Sequence, residues 1–573
     1  MKSACRKALL LAVLPFALTA CFKTSTEIGK DLIDQSLLYD TYTVEFPIEE
    51  IRLCRANDLS GFSDTRLAIG AIRDETFGLT TRSTAFSLVP ALDTLDLGTD
   101  PEFVRFIVHF AADTISTAAP GQEHILQNLF VYSLTDTLSS KKSGTNRDVP
   151  HGTEIVTRGV PVYDGKDSLS FEFSRAYGQK YVDIIKRLGP VLASRDEGET
   201  INKYKEYIQA VPGIYIESDV PEGMGGRINL FELSCLSVSN NYYYRNENVG
   251  RLTVRSTYNG VRKDTTFLFI PGEPTLYDEA EYMDSNKKFY QYAFNRTSHE
   301  ASERRKAEDE ILIEGGGGLK PVIQAAQLRE KVVDAIVQRG GDPAKTVINK
   351  ASLILPYEAP ENEDLVDLFP SIISPTIRKT DKEGVVTFAG LTDASASSEN
   401  QGDLDRANRA YAPDITYHMQ QMLLRKDIDP EEDEADIWFL TVHSETVANA
   451  NGNAEQEAYY QQMMYAMYYN NLYGGGYGGY GGYGYGGYGY GYGGYGGYGG
   501  YSNYYNMMMM SSLLSQMNQT TYSTTQELDK DRYYRAILNG PTATATNPPS
   551  CPLLLPGAKR TPTCRVTFSV PKG

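Results

Sequence analysis

Short stretches of alternating apolar and polar residues follow one another from residue 41 to about residue 270. Examples are YTVEFPI, RLAIGAI, FVRFIVHF and LFVYSL, and each is bounded by Gly, Pro, Asp or Ser. A period of two is typical of a β-strand with one buried side and one solvent-facing side. The pattern therefore predicts a first β-sandwich module over residues 41–300.

A helical period interrupts the strands in a few places. The helical segments are residues 175–189, 200–211, 325–341 and 414–426. The first of them places Tyr181, Ile184, Ile185 and Leu188 on one face, as expected of an amphipathic helix packed on a sheet. Strands resume up to residue 444 and again over 532–573, which predicts a second β module built from 301–444 plus 532–573. We expect a mainly β fold of two sandwich- or jelly-roll-like modules with a few short helices.

Residues 445–531 interrupt the second module and have a different composition. Their centre, 473–501, consists of eighteen Gly and eleven Tyr, and Met- and Tyr-rich segments flank it. Gly at this density does not fix a backbone, so we predict a disordered insertion whose two ends lie close together. Tyrosine is favoured at protein interfaces, which makes this tract a candidate partner contact. The tyrosines chosen as contacts are Tyr477, Tyr480, Tyr483 and Tyr488. For the tract itself a flexible spacer is the first interpretation, and contact with a partner, a glycan or a lipid headgroup and self-association are the alternatives.

The chain begins with the features of an export signal. Basic residues within positions 2–7 precede an apolar run over 8–18, which is too short to cross a bilayer. Leu18-Thr19-Ala20-Cys21 then has the form of a lipobox. We predict a signal peptide over 1–20, lipidation of Cys21 and a tether over 21–40, with the membrane as a partner through the lipid. An ordinary secretory signal with a chance cysteine is the alternative.

Charge and cysteine content narrow the partners and the compartment. The formal charge of −18 argues against a nucleic-acid partner, because phosphate binding needs clustered cations. In an oxidising compartment Cys551 and Cys564 would close the Pro-rich loop PSCPLLLPGAKRTPTC, and we predict a disulfide there. Two buried thiols are the alternative for this pair, and we expect buried thiols at Cys54 and Cys235.

Motifs for catalysis or cofactor binding are missing from the sequence. There is no G-x-S-x-G, Walker loop or H-E-x-x-H, and the glycines of GGGGLK favour a tight turn or bulge over a phosphate site. The acidic run over 427–436 and the pair Asp74-Glu75 favour solvated turns over a calcium or catalytic site. We therefore predict no cofactor, no metal site and no enzymatic activity.

A series of strings, in this order, resembles a known family. TEIGKDLIDQ, LAIGAIRDETFGLTTRSTAFSLVP, YIQAVPGIYIESDVPEGMGGRINLF, ILIEGGGGLKPVI and VINKASLILP are similar to the Bacteroidetes lipoproteins that carry the domain of unknown function 4270. The resemblance covers most of 22–445 and the last strands, but not the insertion. It implies an outer-membrane lipoprotein of β-sandwich modules, on either face of that membrane, and it supplies no catalytic residues.

Together these observations predict a non-enzymatic structural or docking component of a cell-envelope protein complex. Its expected partners are the membrane, through the lipid, and an outer-membrane β-barrel protein. A surface glycan-binding module that uses exposed tyrosines is one alternative. A glycan-degrading hydrolase whose carboxylates have no recognisable motif is the other, because the separation of such carboxylates is a property of the fold.

Overall fold

The computed structural model describes residues 38–571 except 64, 92–94, 114–115, 140–142, 190–197, 234–237, 240–241, 244–247, 273, 275–292, 301–303, 361, 383, 394–399, 426–427 and 450–520. The chain is mainly β, with 49% strand and 15% helix. This confirms the predicted mainly β, sandwich-like fold class. The predicted insertion falls largely in 450–520, outside the described residues.

The described strands, in chain order, are β1 (Tyr39–Pro47), β2 (Arg52–Arg55), β3 (Phe62–Ser63), β4 (Arg66–Asp74), β5 (Gly78–Pro90), β6 (Thr99–Ala111), β7 (Thr117–Ala118), β8 (Gln127–Leu134), β9 (His151–Ile155), β10 (Val162–Tyr163), β11 (Ser168–Glu172), β12 (Ile214–Ser218), β13 (Gly225–Glu232), β14 (Val238–Ser239), β15 (Tyr242–Tyr243), β16 (Val249–Tyr258), β17 (Val261–Gly272), β18 (Ala293–His299), β19 (Arg304–Lys306), β20 (Glu310–Glu314), β21 (Leu319–Ile323), β22 (Val347–Pro356), β23 (Ile372–Thr380), β24 (Val386–Gly390), β25 (Leu404–Asp405), β26 (Ala410–Tyr411), β27 (Ile437–Asn449), β28 (Thr521–Leu528), β29 (Arg535–Asn539) and β30 (Thr563–Pro571). The described helices are α1 (Arg175–Leu188), α2 (Gly198–Ala210), α3 (Ala325–Val337) and α4 (Thr416–Leu424). All of these helices lie where the helical period predicts them.

Strands from β3 to β18, apart from the small β14–β15 hairpin, form one fourteen-stranded antiparallel sheet, which we call the N-terminal body. Strand β5 is thirteen residues long. Its first half pairs with β4 and β18, and its second half pairs with β12 and β17. Because one strand changes partners along its length, the sheet bends around its largest hydrophobic core, and a smaller cluster that includes Ala85, Tyr215 and Phe294 lies beside it. Helices α1 and α2 add aromatic side chains such as Tyr181 and Tyr207 to that core, beside Phe86 and Phe106.

Strands β1, β2 and β19 to β30 form the C-terminal body. A five-stranded sheet runs in the order β1-β30-β22-β26-β25, and a seven-stranded sheet runs β19-β2-β21-β27-β23-β24 with β28 on β27. Strands β20 and β29 make a separate ribbon. Helices α3 and α4 bury Leu328, Val332, Met419 and Met422 in the core that these layers share. The C-terminal body therefore has its own hydrophobic core.

The structure differs from the predicted division at the N-terminal end of the first module. Strand β1 pairs with the last strand, β30, from Tyr39↔Pro571 to Pro47↔Thr563, and β2 pairs with β19 and β21. Both strands therefore belong to the C-terminal body, and the N-terminal body starts at Phe62. Period-two alternation identifies a strand but does not identify its partner, which explains the difference.

Candidate functional site

The hairpin of β27 and β28 carries the insertion. The two strands pair without a register shift from Val442↔Leu528 to Asn449↔Thr521. The chain therefore leaves the sheet at Asn449 and re-enters it directly opposite, at Thr521. This agrees with the expectation that the ends of the insertion lie close together, and it places residues 445–449 and 521–528 of the predicted span 445–531 in a β-hairpin.

The residues that follow β28, Asp529–Tyr534, fix this hairpin to its own body; we call them the root segment. Asp529 N donates to Thr441 O on β27 at 3.0 Å, and Thr441 Oγ1 donates to Asp529 O at 3.0 Å. Tyr534 OH donates to Asp529 Oδ2 at 2.7 Å, and Arg532 N donates to Asp529 Oδ1 at 3.0 Å. Asp529 is buried, so these bonds form in a site where an unpaired carboxylate would be strongly unfavourable.

The same segment crosses to the N-terminal body. Ser63 Oγ donates to Asp531 Oδ2 at 2.8 Å, and Asn295 Nδ2 donates to Asp531 Oδ1 at 2.9 Å. Lys530 Nζ donates to Phe62 O at 2.6 Å. Tyr533 packs in a cluster with Ile72 and Ile228 of β4 and β13. The root of the insertion is thus also a junction between the two bodies.

The glycine run 315–318 turns from β20 to β21 against the root segment. Gly318 N donates to Gly315 O at 3.1 Å, Gly315 N donates to Tyr534 O at 3.0 Å, and Gly316 has a φ of +55°. A Cβ on Gly316 would lie 2.6 Å from both Nη1 and Nη2 of Arg82, so the turn needs glycine here. The predicted tight turn is confirmed, and it closes over a buried arginine.

Arg82 is fully buried beneath this turn. Its Nη1 donates to Thr297 Oγ1 and, at 3.3 Å, to Lys530 O. Its Nε and Nη2 have no hydrogen-bond partner in the part of the chain that the structure describes. Burial lowers the pKa of Arg82, and the negative charge of Asp531 acts in the opposite direction. Asp531 is therefore a main stabiliser of this buried charge.

Glu314 lies at the centre of the remaining buried charges. His299 Nδ1 is 3.0 Å from Glu314 Oε1, Arg55 Nη1 is 3.4 Å from Glu314 Oε2, and Leu319 N donates to Glu314 Oε2 at 2.8 Å. Lys320 Nζ donates to the main-chain oxygen of Glu314. Among the described residues, the polar contacts of this carboxylate are thus made to the turn itself and to the strands packed against it.

Burial and these neighbours shift the pKa values of the cluster. Burial lowers the pKa of Lys320 to about 7, against the opposing effect of Glu314. Burial alone would raise the pKa of Glu314, but His299, Leu319 N and Arg55 outweigh it and lower that pKa to about 2. Burial also lowers the pKa of His299. Glu314 is consequently ionised at neutral pH, whereas Lys320 is near the midpoint of its titration.

This cluster suits a structural role better than a catalytic one. Arg82 and Glu314 are each 2% exposed and Lys320 is 0% exposed, and a catalytic group has to reach substrate. Sequence reasoning missed the cluster, because it assigned Asp529–Asp531 to the insertion. The signal that was available is the string DKDRYY, a charged and aromatic run directly after a polar low-complexity stretch.

The predicted contact and lipidation residues fall outside the described part of the chain. They are Cys21, Tyr477, Tyr480, Tyr483 and Tyr488, and Cys235 is also outside it. Cys54, predicted as a buried thiol, is buried in β2.

The structure does not contain the predicted Cys551–Cys564 disulfide. Both cysteines are buried, and neither is in a disulfide. The side chain of Cys564 lies in the core of the C-terminal body with Phe568. Arg565, the next residue on β30, donates to Leu553 O at 2.5 Å, in the loop that contains Cys551. Because successive side chains of a strand point to opposite faces, that loop lies on the face of β30 away from the Cys564 side chain.

Carboxylates of the acidic run over 427–436 accept hydrogen bonds from backbone N–H groups in a turn and at the start of a helix. Asp429 Oδ1 accepts a hydrogen bond from Glu431 N at 3.2 Å, and Asp436 Oδ1 accepts one from Ala325 N, at the start of α3, at 3.1 Å. Asp74, from the other acidic pair, accepts hydrogen bonds from Thr76 N and Phe77 N in the turn between β4 and β5. Within the described ranges, no group of three or more His, Cys, Asp or Glu is arranged to hold a metal ion.

Comparison with known proteins identifies no relative: no family model, no curated protein and no solved structure matches this chain. The resemblance to the domain 4270 lipoproteins therefore stays a prediction. Among the residues that the structure describes, no helix has the length and apolar character needed to cross a membrane.

The hairpin register predicts how the chain tolerates deletion. Replacing 450–520 with Asn-Gly should close β27 and β28 as a two-residue hairpin and leave the unfolding midpoint within about 3 °C of wild type. Deleting 445–531 also removes Asp529 and Asp531, and should lower the free energy of unfolding by at least about 3–5 kcal/mol. Thermal unfolding followed by circular dichroism distinguishes the two variants. Equal stability of both would contradict the role given to the root segment.

Proposed function

We propose that this chain is a non-enzymatic, lipid-anchored lipoprotein of the outer membrane that acts as a docking component beside a membrane protein complex. The observation that carries the proposal is the register of the β27–β28 hairpin, which joins a long Tyr- and Gly-rich insertion to a folded body at one point. An insertion attached in this way can contact a partner without disturbing the sheets behind it.

The root segment supports the same proposal. A force on the insertion is transmitted to Asp529–Tyr534, which hydrogen-bonds to both bodies through the buried Asp529 and Asp531 and the part-buried Lys530. Buried, hydrogen-bonded polar groups hold one geometry more strictly than exposed loops do. The attachment point is therefore rigid, as a docking arm requires.

The lipobox supports the anchor. Cys21→Ala should abolish labelling by a clickable fatty acid and move the protein from the membrane fraction to the soluble fraction, because the acyl chains provide the membrane affinity. Cys54→Ala is the matched control, since it removes a buried cysteine and should leave both labelling and fractionation unchanged. Membrane retention of Cys21→Ala equal to that of wild type would remove the lipoprotein part of the proposal.

The docking role is tested by affinity recovery of the full chain from detergent-solubilised membranes. A defined membrane protein partner, a β-barrel protein being the expected class, should be recovered in stoichiometric amount. Recovery of no membrane protein would count against docking. Binding to a glycan array that disappears on Tyr→Ala changes in 473–501 would favour the glycan-binding alternative instead.

A further inference from the structure

Charged side chains from both bodies meet at the junction between them. The N-terminal body contributes Arg82 from β5 and His299 from β18, and the C-terminal body contributes Glu314 from β20 and Lys320 from β21. His299 Nδ1 lies 3.0 Å from Glu314 Oε1, so this pair crosses the junction. A Cβ on Gly318 would lie 2.9 Å from His299 Cε1, so the imidazole packs directly on the glycine turn. Each body therefore covers ionisable groups of the other.

Several buried polar atoms at this junction are not hydrogen-bonded. Within the described residues, the atoms without a hydrogen-bond partner include Arg82 Nε, Arg82 Nη2, Thr145 Oγ1, His299 Nε2 and Tyr533 OH. Thr145 lies against the glycine turn at Gly317. A buried polar group without a partner is unfavourable, and water would pair with each of these atoms if the bodies separated. The junction should therefore open more easily than either hydrophobic core unfolds.

Lys320 is fully enclosed at the junction. Its side chain is 0% exposed, and its Nζ donates to the main-chain oxygen of Glu314. No carboxylate of the described residues forms an ion pair with this amine. The charged groups that face it are Glu314 from β20, Asp529 from the root segment, Arg82 from β5 and Arg55 from β2. Burial has the largest effect and lowers the pKa of Lys320 to about 7, so the closed junction favours the neutral amine.

His299 responds to pH in the same direction. The charged groups that face it are Glu314 from β20, Arg82 from β5 and Arg55 from β2. Burial lowers the pKa of His299, the two arginines act in the same direction, and Glu314 acts in the opposite one. A pKa lowered by burial returns towards its ordinary value when water reaches the group. Lys320 and His299 therefore both take up protons when the junction opens, and acidification favours the open form.

We propose that the junction is a proton-driven switch, in which acidification separates the glycine turn and the root segment from β5 and β18 while both bodies stay folded. Lys320 alone should increase the ratio of open to closed molecules about fiftyfold between pH 9 and pH 7, because the open form binds its proton more strongly over that range. His299 extends the effect below pH 7. The switch acts where the insertion is attached, but the inference does not depend on the docking role or on the lipid anchor.

The thiol of Cys54 is a native probe of the open form. Cys54 is directly opposite Lys320 in the pairing of β2 with β21, so the two side chains lie on the same face of the sheet. Cys54 is buried, and Cys564, which is 0% exposed in the core of the C-terminal body, is the internal control. The full chain is labelled with iodoacetamide, and mass spectrometry of its peptides follows each thiol. The labelling rate in the folded chain, divided by the rate in the urea-unfolded chain at the same pH, measures how often the reagent reaches that thiol.

This ratio should rise about fiftyfold for Cys54 between pH 9 and pH 7 and stay constant for Cys564. Lys320→Met removes the titrating amine and should show little of the rise. Lys331→Met, at an exposed position, is the matched control and should show the rise in full. Equal rises at Cys54 and Cys564 would indicate unfolding of the whole C-terminal body and would overturn the proposal. A Cys54 ratio that does not change with pH, or that changes equally in wild type and Lys320→Met, would also overturn it.

Discussion

Asp531→Ala should lower the free energy of unfolding by about 3–5 kcal/mol, the range expected when one member of a buried charged network is removed. The carboxylate is 6% exposed and accepts hydrogen bonds from Ser63 Oγ and Asn295 Nδ2. Its removal takes a hydrogen-bond acceptor from two buried donors, although Asn295 Nδ2 keeps its bond to Arg66 O, and it removes the charge that most offsets the burial of Arg82. Urea unfolding followed by circular dichroism measures the loss.

Two further variants show whether the loss comes from the buried network. Asp531→Asn keeps an acceptor oxygen and the shape of the side chain, so it should lower the free energy of unfolding by less than Asp531→Ala does. Asp367→Ala removes the ion-pair partner of Arg406 on the surface, where the Asp367 side chain is 69% exposed and the Arg406 side chain is 60% exposed. This variant should lower the free energy of unfolding by less than about 1 kcal/mol. If Asp531→Ala were no more destabilising than Asp367→Ala, the junction would not hold the two bodies together.

Lys320→Met should change the pH dependence of stability. In wild type the pKa of Lys320 falls from an ordinary 10.5 to about 7 on folding, mainly because the side chain is buried. Between these two values the unfolded chain holds more protons on this lysine than the folded chain does, so its contribution raises stability as pH rises. The change amounts to roughly 3–5 kcal/mol over that window.

The methionine variant lacks this titration. It should be more stable than wild type at pH 6, where wild type buries a charged lysine, and it should lose that advantage by pH 10. Lys331→Met, at an exposed position, should show a nearly constant difference from wild type between pH 6 and 10, because the hydrogen bond to Glu49 raises the pKa of this lysine above that range. Urea unfolding at pH 6, 8 and 10 gives both curves. If the free energy of unfolding changed with pH in the same way for wild type and Lys320→Met, the assignment of a lysine with a lowered pKa would be wrong.

Local structure was predictable where the hydrophobic period is regular. Tyr181, Ile184 and Leu188 fall on one face of α1 in the sequence, and all are buried in the structure. The turn at residues 315–318 was predictable, because four consecutive residues without Cβ are unfavourable within a helix or strand and are typical of a turn. Pairing between distant strands was not predictable, since β1 and β30 lie at opposite ends of the chain and neither contains information about the other.

The buried charges were unpredictable for a related reason. Arg82 stands in TTRSTAF and Lys320 stands in LKPVI, and alternation assigns such residues to the solvent-facing side of a strand. In the structure both faces of these strands are covered, because the root segment packs across the junction. The root segment lies more than two hundred residues after Lys320 in the chain. The disulfide prediction failed similarly, since loop length does not show which face of β30 the loop crosses.

The most direct test of the docking role compares two proteins in the same affinity recovery from solubilised membranes. One is the full chain, and the other is the variant with 450–520 replaced by Asn-Gly, which should keep the fold and the anchor. We expect a membrane partner to be recovered with the full chain and lost with the variant. Equal recovery of that partner with both proteins would contradict the claim that the insertion is the docking element.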